Sequence, residues 1–94
     1  MKTIITLSNP MVAAKDGNTY RDERVIYGNC KSIPPHQMDC QRAIYVSFWE
    51  EKKTLDEALD NFKRRLRETI YENPKLEIEI IDQRPTHLQH RDMY

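Results

Sequence analysis

The chain has 94 residues, of which 38% are hydrophobic and 32% charged, and its mean hydropathy is −0.83. This length suits one small domain, and we predict a folded core over residues 2–82 followed by a polar tail over residues 83–94. The 15 basic and 15 acidic residues cancel to a formal net charge of zero, which argues against a protein that binds nucleic acid through phosphate neutralisation alone.

The apolar segments of the chain are short. The longest, at residues 43–49, is far too short to span a bilayer, and the first residues lack the apolar segment and cleavage site of a secretory signal. The two cysteines, Cys30 and Cys40, are too few for a disulfide scaffold. We therefore predict a cytoplasmic protein without membrane contact, in the host cell if a phage encodes it, and do not expect a disulfide.

The first quarter of the chain has the pattern of a β-hairpin. Residues 2–8 alternate apolar and β-branched side chains and predict a strand that is interrupted at Asn9-Pro10. Asp16-Gly17 predicts a tight turn. Residues 11–14 lead into this turn, and residues 19–27 form the returning strand.

The middle of the chain predicts a long loop and then the strongest strand. Pro34-Pro35 excludes a helix and predicts an extended loop over residues 28–39. Residues 41–50 follow, with apolar side chains on both faces of the predicted strand. Because a strand with two apolar faces is normally covered on both sides, we predict a central position in the sheet.

Residues 54–72 have the pattern of one amphipathic helix. Thr54 and Glu57 form a capping box at its start, and Asn73-Pro74 ends it. Its acidic residues come first and its basic residues last, which complements the helix dipole. A single face of apolar and β-branched side chains is predicted to pack on the sheet, formed by Leu55, Ala58, Leu59, Phe62, Leu66, Thr69 and Ile70.

Residues 75–82 alternate strictly and predict a half-buried strand. Its aliphatic residues Leu76, Ile78 and Ile80 point inward and its glutamates outward. The order β-β-β-α-β predicts an α+β fold, a mostly antiparallel sheet of about four strands with the helix on one face. A right-handed crossover places this last strand parallel to residues 41–50 or at a sheet edge.

The chain lacks the sequence motifs of common enzymes and cofactor sites. It has no glycine-rich phosphate loop, no G-x-S-x-G and no H-E-x-x-H, so we predict a protein that is not an enzyme and has no cofactor. Cys30, His36 and Cys40 offer a weak zinc alternative, with a tail histidine as fourth ligand. Their spacing differs from the usual zinc motifs, which pair ligands two to four residues apart.

The best candidate for function is a basic cluster on the predicted helix. Arg64 lies opposite the apolar face on a helical wheel, with Arg67 and Tyr71 beside it and Lys63 adjacent. Arginine and tyrosine dominate interface hot spots, so this face is predicted to bind a partner. A solvated face with Tyr71 lying over the Arg67 stem explains the same pattern. A second candidate surface combines loop and tail residues, namely Lys31, His36, Arg42 and Arg91.

In size and layout the chain resembles the anti-CRISPR proteins of phages and mobile elements, with a short sheet, one amphipathic helix at residues 54–72 and a polar surface. The resemblance extends over the whole chain and lies in format, without a shared motif. It implies a non-enzymatic inhibitor that occludes a protein or ribonucleoprotein complex such as a CRISPR effector. Acidic residues would then mimic phosphates, or Arg64, Arg67 and Lys31 would contact guide RNA.

Two further questions stay open at this point. A small RNA- or DNA-binding protein that uses the basic helix face and the His/Arg tail is the alternative function. The protein is expected to be a monomer, or a homodimer paired through residues 2–8 if these form an edge strand.

Overall fold

The computed structural model describes residues 1–46 and 54–85. Within these ranges it contains six strands: β1 (Lys2–Ser8), β2 (Met11–Ala13), β3 (Thr19–Arg21), β4 (Val25–Ile33), β5 (Gln41–Val46) and β6 (Glu77–Asp82). Between β5 and β6 the helix α1 (Leu55–Arg65) continues directly into a π-helical segment, Leu66–Ile70, which we call the π turn. The predicted α+β class is confirmed.

Four of these strands form one sheet in the order β5-β4-β1-β6. β1 pairs antiparallel with β4 and parallel with β6, and β5 pairs antiparallel with β4. The sheet is therefore mostly antiparallel, as predicted. β6 lies at an edge, which is the second of the two predicted placements. Because β1 is central, it cannot pair with a second copy in the way considered from the sequence.

β2 and β3 form a separate two-stranded ribbon that extends the β1–β4 hairpin. Its turn holds Gly17 with a φ of +87°, a conformation that glycine adopts without steric cost. The Asp22 N–H donates to the Pro10 carbonyl oxygen at 2.9 Å, where the ribbon leaves the sheet. The Asp16-Gly17 turn signal thus identified the hairpin correctly.

The predicted loop over residues 28–39 was wrong in its first half, which belongs to β4. The inward-facing residues there are small: Gly28, Cys30 and Ser32 are buried, and they lack the bulk that marks a strand in sequence. A Cβ at Gly28 would overlap the Ile44 side chain and lie 2.8 Å from Ile5 Cγ2. Glycine is therefore needed for β1, β4 and β5 to pack at this point.

The predicted central position of residues 41–50 was also wrong, because β5 is an edge strand of the sheet. In β5 Ile44 and Tyr45 are buried whereas Gln41 and Ala43 are exposed. The predicted apolar faces also included residues 47–50, which lie outside the described residues. Ile44 and Tyr45 are consecutive and both buried, where the register between β4 and β5 shifts.

The core lies between the sheet and α1. Its largest fully buried hydrophobic side chains are Ile5, Leu7, Ile26, Tyr45, Phe62, Leu66 and Leu76. On the helix Leu59 and Ile70 are partly buried against this core, whereas Thr69 is exposed, so its place in the predicted apolar face was wrong. In the described ranges, no helix is both long and apolar enough to cross a membrane.

Both ends of the α1–β6 unit are fixed by hydrogen bonds. The Glu57 N–H donates to Thr54 Oγ1 at 3.2 Å, so Thr54 is the N-cap, as predicted. Beyond β6, the Gln83 N–H donates to the Leu7 carbonyl oxygen at 3.0 Å. Arg84 is buried and binds Asp82, with Nη2 and Oδ2 2.6 Å apart. The first residues of the predicted tail are therefore ordered against the core.

Candidate functional site

The π turn determines which way Tyr71 faces. The Tyr71 N–H donates to the Leu66 carbonyl oxygen at 2.9 Å, a hydrogen bond that spans five residues instead of four. The buried positions of the helix are Leu55, Ala58, Phe62, Leu66 and Tyr71, with spacings of three, four, four and then five. The additional residue in the last turn brings Tyr71 onto the core face.

The prediction that Tyr71 lies exposed beside Arg64 and Arg67 was therefore wrong. Tyr71 is only 7% exposed, and its hydroxyl donates to Asp39 Oδ1 at 2.7 Å. A helical wheel with 100° per residue cannot place it correctly, because the π turn interrupts the α-helical period.

Asp39 is the centre of a hydrogen-bonded cluster that joins β4, the following loop and the helix end. Its Oδ1 accepts from the hydroxyls of Ser32 and Tyr71, each at 2.7 Å. Its Oδ2 accepts from the N–H groups of Ser32 at 2.9 Å and His36 at 3.1 Å. Because the Ser32 hydroxyl donates to Asp39, the buried Thr3 hydroxyl at 2.8 Å donates to Ser32. We call these five residues the Asp39 cluster.

The charged group of this cluster is the ionised Asp39 carboxylate. Burial works to raise the pKa of the Asp39 carboxyl, but the hydrogen bonds from Ser32, Tyr71 and His36 outweigh it and keep that pKa well below its ordinary value. Burial and the hydrogen bond to Asp39 raise the pKa of Tyr71 to about 12. An ionised carboxylate with four donors has its acceptor sites filled, so Asp39 acts as a structural tie.

The loop between β4 and β5 is folded onto this cluster. His36 Nδ1 accepts from the Met38 N–H at 3.0 Å, and the Met38 carbonyl oxygen accepts from Arg42 Nη2 at 3.0 Å. The His36 and Tyr71 rings meet edge to face, with centroids 4.9 Å apart and planes at 73°. His36 and Arg42, predicted as partner-binding residues, thus both have structural contacts within the loop.

A pocket of about 360 Å³ opens beside this ring pair, which we call the loop–helix pocket. It is lined by residues of the loop and of the helix end, namely His36, Gln37, Met38, Thr69, Ile70, Tyr71 and Glu72. Glu72 has a φ of +49°, in the left-handed region that few residues other than glycine and asparagine adopt. This conformation ends the helix and turns the chain toward Pro74.

A second pocket, of about 270 Å³, lies along the outer face of the helix, and we call it the basic groove. Its lining residues are Asp60, Lys63, Arg64, Arg67, Glu68 and Pro74. Arg67 Nε donates to the Leu76 carbonyl oxygen at 3.1 Å, which ties its stem to the segment before β6. Arg64 is exposed, donates to the Asn61 side chain and lies 3.8 Å from the Glu68 carboxylate. Three residues predicted to bind a partner thus share one groove.

The other predicted site residues lie apart from this groove. Lys31 is exposed between the buried Cys30 and Ser32, so strand alternation directs it to the sheet face opposite the helix. Arg42 is partly buried. Arg91 lies outside the described residues. The predicted combination of loop and tail into one patch is therefore not tested by the described part of the chain.

The zinc alternative is not supported by the geometry. Cys30 and Cys40 are both free, the first buried and the second exposed. Burial raises the pKa of the Cys30 thiol to about 11, although the nearby Arg42 acts to lower it, so without a metal this thiol is protonated at neutral pH. Across residues 1–46 and 54–85, no three His, Cys, Asp or Glu side chains are grouped to hold a metal ion.

Sequence reasoning missed Asp39, Ser32 and Glu72. The partners of Asp39 include a tyrosine 32 positions away, and no local pattern indicates such a contact. Glu72 carries no sign of a left-handed conformation, since helices more often end in glycine there. Comparison with protein-family models, curated proteins and solved structures found no match for the chain.

Proposed function

We propose that this is a non-enzymatic binding protein that inhibits or occludes another protein or a ribonucleoprotein complex, using the basic groove as its contact surface. The observation that carries the proposal is the convergence of Lys63, Arg64 and Arg67 on one concave surface of about 270 Å³. Of the three, only Arg67 has a hydrogen bond within the described residues that supports the fold, to the Leu76 carbonyl oxygen. Arginine in a concave, partly apolar site is a common anchor of protein interfaces.

Arg64 and Arg67 are proposed to contribute to partner binding in different ways. Arg64 interacts with Glu68 at 3.8 Å, and both side chains are more than 60% exposed. Such a surface ion pair contributes little to stability, so Arg64 can exchange Glu68 for an acidic group of a partner at low cost. Arg67 is held by the Leu76 carbonyl oxygen, which reduces the side-chain entropy lost when a partner binds.

The charge pattern favours a protein surface over bare nucleic acid. The groove sets two carboxylates, Asp60 and Glu68, among its three cations. Phosphates would be repelled by both carboxylates, whereas a protein surface can place charges of either sign opposite them. Because a ribonucleoprotein also presents protein surfaces, it fits this pattern. The resemblance in format to anti-CRISPR proteins makes a CRISPR effector one such target.

The test is capture of partners from a host lysate by the immobilised protein, with mass spectrometry of bound protein and sequencing of bound nucleic acid. The variant K63E/R64E should lose the specific partner. The matched control K15E/R21E makes the same change in net charge at two exposed positions on the ribbon and its turn, and it should retain that partner. Arg67 is left intact because its hydrogen bond supports the fold.

Two results would contradict the proposal. Equal capture by K63E/R64E and wild type would show that the groove is not the contact surface. Binding of naked RNA or DNA that weakens steeply as salt rises would favour the alternative, a nucleic-acid-binding protein. If the captured partner is a CRISPR effector, addition of wild-type protein should inhibit target cleavage, and K63E/R64E should not.

A further inference from the structure

We propose that the loop–helix pocket receives an arginine side chain of the partner protein. This inference rests on the proposed binding function and adds to it a second contact with the opposite charge preference. Both pockets include residues of the π turn: Arg67 and Glu68 line the basic groove, and Thr69 and Ile70 line the loop–helix pocket. The two pockets are thus adjacent along the helix, and the proposal is that one partner contacts both.

The pocket is electrostatically suited to a cation. None of its seven lining residues, all within the described part of the chain, is lysine or arginine, and Glu72 contributes an exposed carboxylate. The ionised Asp39 lies directly behind the Tyr71 hydroxyl. The helix also ends at this pocket, and the last turn of a helix carries partial negative charge on its carbonyl oxygens.

The walls of the pocket match the shape of an arginine side chain. Ile70 is partly buried and Met38 is 37% exposed, so both offer apolar surface for a methylene stem. Of the edge-to-face ring pair, the half-buried His36 offers most of the aromatic surface to a guanidinium, because Tyr71 is only 7% exposed. His36 contributes its ring surface rather than an acceptor, because Nδ1 already accepts from the Met38 N–H.

The pocket is also fixed in shape before a ligand arrives. Asp39 accepts hydrogen bonds from both His36 and Tyr71 and so holds them together. The left-handed backbone conformation of Glu72 fixes the direction in which its side chain leaves the main chain. A volume of about 360 Å³ lies at the lower end of the range of small ligand sites, roughly 300–1,000 Å³. This space admits one long side chain with water.

A direct test uses N-acetyl-arginine amide as the probe and N-acetyl-citrulline amide as its uncharged analogue, in NMR titrations of the full chain. The arginine probe should shift the amide signals of residues 36–38 and 69–72. The citrulline probe should bind about tenfold more weakly, because the charge-assisted hydrogen bonds are lost. The variant E72Q should bind the arginine probe more weakly than wild type by a similar factor. The variant E68Q, which changes the basic groove, should bind it with wild-type affinity.

The inference is overturned if both probes bind equally, if the shifts lie elsewhere, or if E72Q binds the arginine probe as wild type does. Partner capture separates it from the proposed function. If K63E/R64E loses the partner and E72Q keeps wild-type affinity, the groove is the binding site and the arginine pocket is excluded. If K63E/R64E retains full binding, the proposed function itself fails, whatever the probes show.

Discussion

The Tyr71 hydroxyl donates to Asp39 Oδ1 at 2.7 Å, which joins the end of the helix to a loop 32 positions earlier in the chain. This bond positions the His36 and Tyr71 rings that line the loop–helix pocket. It depends on the π turn, because an uninterrupted α-helix would not direct residue 71 toward the core. The geometry of the candidate site and the stability of the fold are therefore linked at one contact.

Replacement of Tyr71 by phenylalanine should lower the free energy of unfolding by about 2 kcal/mol. It removes a hydrogen bond to an ionised group, which typically contributes about 1.5–3 kcal/mol, and leaves the buried ring in place. Urea denaturation of Y71F measures the change. Y20F is the matched control, since Tyr20 is 49% exposed on the ribbon and its hydroxyl removal should have almost no effect. An equal change in both variants would contradict a structural role for the Tyr71–Asp39 bond.

Asp39 should make the stability of the protein sensitive to acid. Its pKa in the folded protein is below the ordinary value, so the stability that it contributes is present above about pH 4 and is lost as the pH falls toward the folded-state pKa. At pH 7, the substitution D39N should lower the free energy of unfolding by about 3 kcal/mol or more, because the N–H groups of Ser32 and His36 lose their carboxylate acceptor.

The comparison of D39N with wild type isolates this residue from the other carboxylates. The difference in unfolding free energy should be largest near neutral pH and should shrink as the pH is lowered below 4. Guanidinium denaturation at a series of pH values measures it. D60N, at an exposed position, provides the control and should show a small difference at every pH. A D39N difference that does not change with pH would show that the pKa of Asp39 is the same in the folded and the unfolded protein.

Local patterns in the sequence predicted β1, β6 and the start of α1 because each pattern repeats with the period of its own element. Thr54 caps the helix as its spacing to Glu57 predicts. The edge position of β5 depends on which strands pair, and pairing is a long-range property that the alternation of one strand does not contain. The second half of β4 was missed because Gly28, Cys30 and Ser32 are too small to mark a buried face.

The candidate site was less predictable than the fold. Sequence identified Lys63, Arg64 and Arg67 because a charged face follows directly from helical periodicity. It misplaced Tyr71, since helical periodicity does not indicate the π turn that brings this residue onto the core face. It gave no indication of the loop–helix pocket, whose two walls come from segments that are distant in the chain.

The π turn should tolerate removal of one residue better than the α-helix does. Deletion of the exposed Thr69 leaves Tyr71 four positions after Leu66, so an ordinary α-helical turn keeps both on the core face. Deletion of the exposed Asp60 instead rotates Leu55 and Ala58 by about 100° relative to the rest of the apolar face. Thermal unfolding followed by circular dichroism should show a much smaller fall in Tm for the first deletion. Equal falls would mean that the π turn does not act as a one-residue insertion.

Replacement of Gly28 by alanine should be tolerated only if the side chain at position 44 is made smaller. An added Cβ overlaps the end of the Ile44 side chain and lies 2.8 Å from Ile5 Cγ2, and overpacking of this kind typically costs about 1–3 kcal/mol. The variant I44V removes the overlapping methyl group, so the double variant G28A/I44V should be more stable than the sum of the two single changes predicts. Urea denaturation of the four proteins in this cycle gives the coupling free energy.

Gly17 supplies the control for this cycle. Nothing lies within 4 Å of a Cβ built at Gly17, whose φ of +87° is itself unfavourable for alanine. G17A should therefore destabilise the protein through its backbone alone, and I44V should not relieve it. A coupling free energy near zero for G28A and I44V, equal to that for G17A and I44V, would show that contact with Ile44 does not explain the glycine in β4.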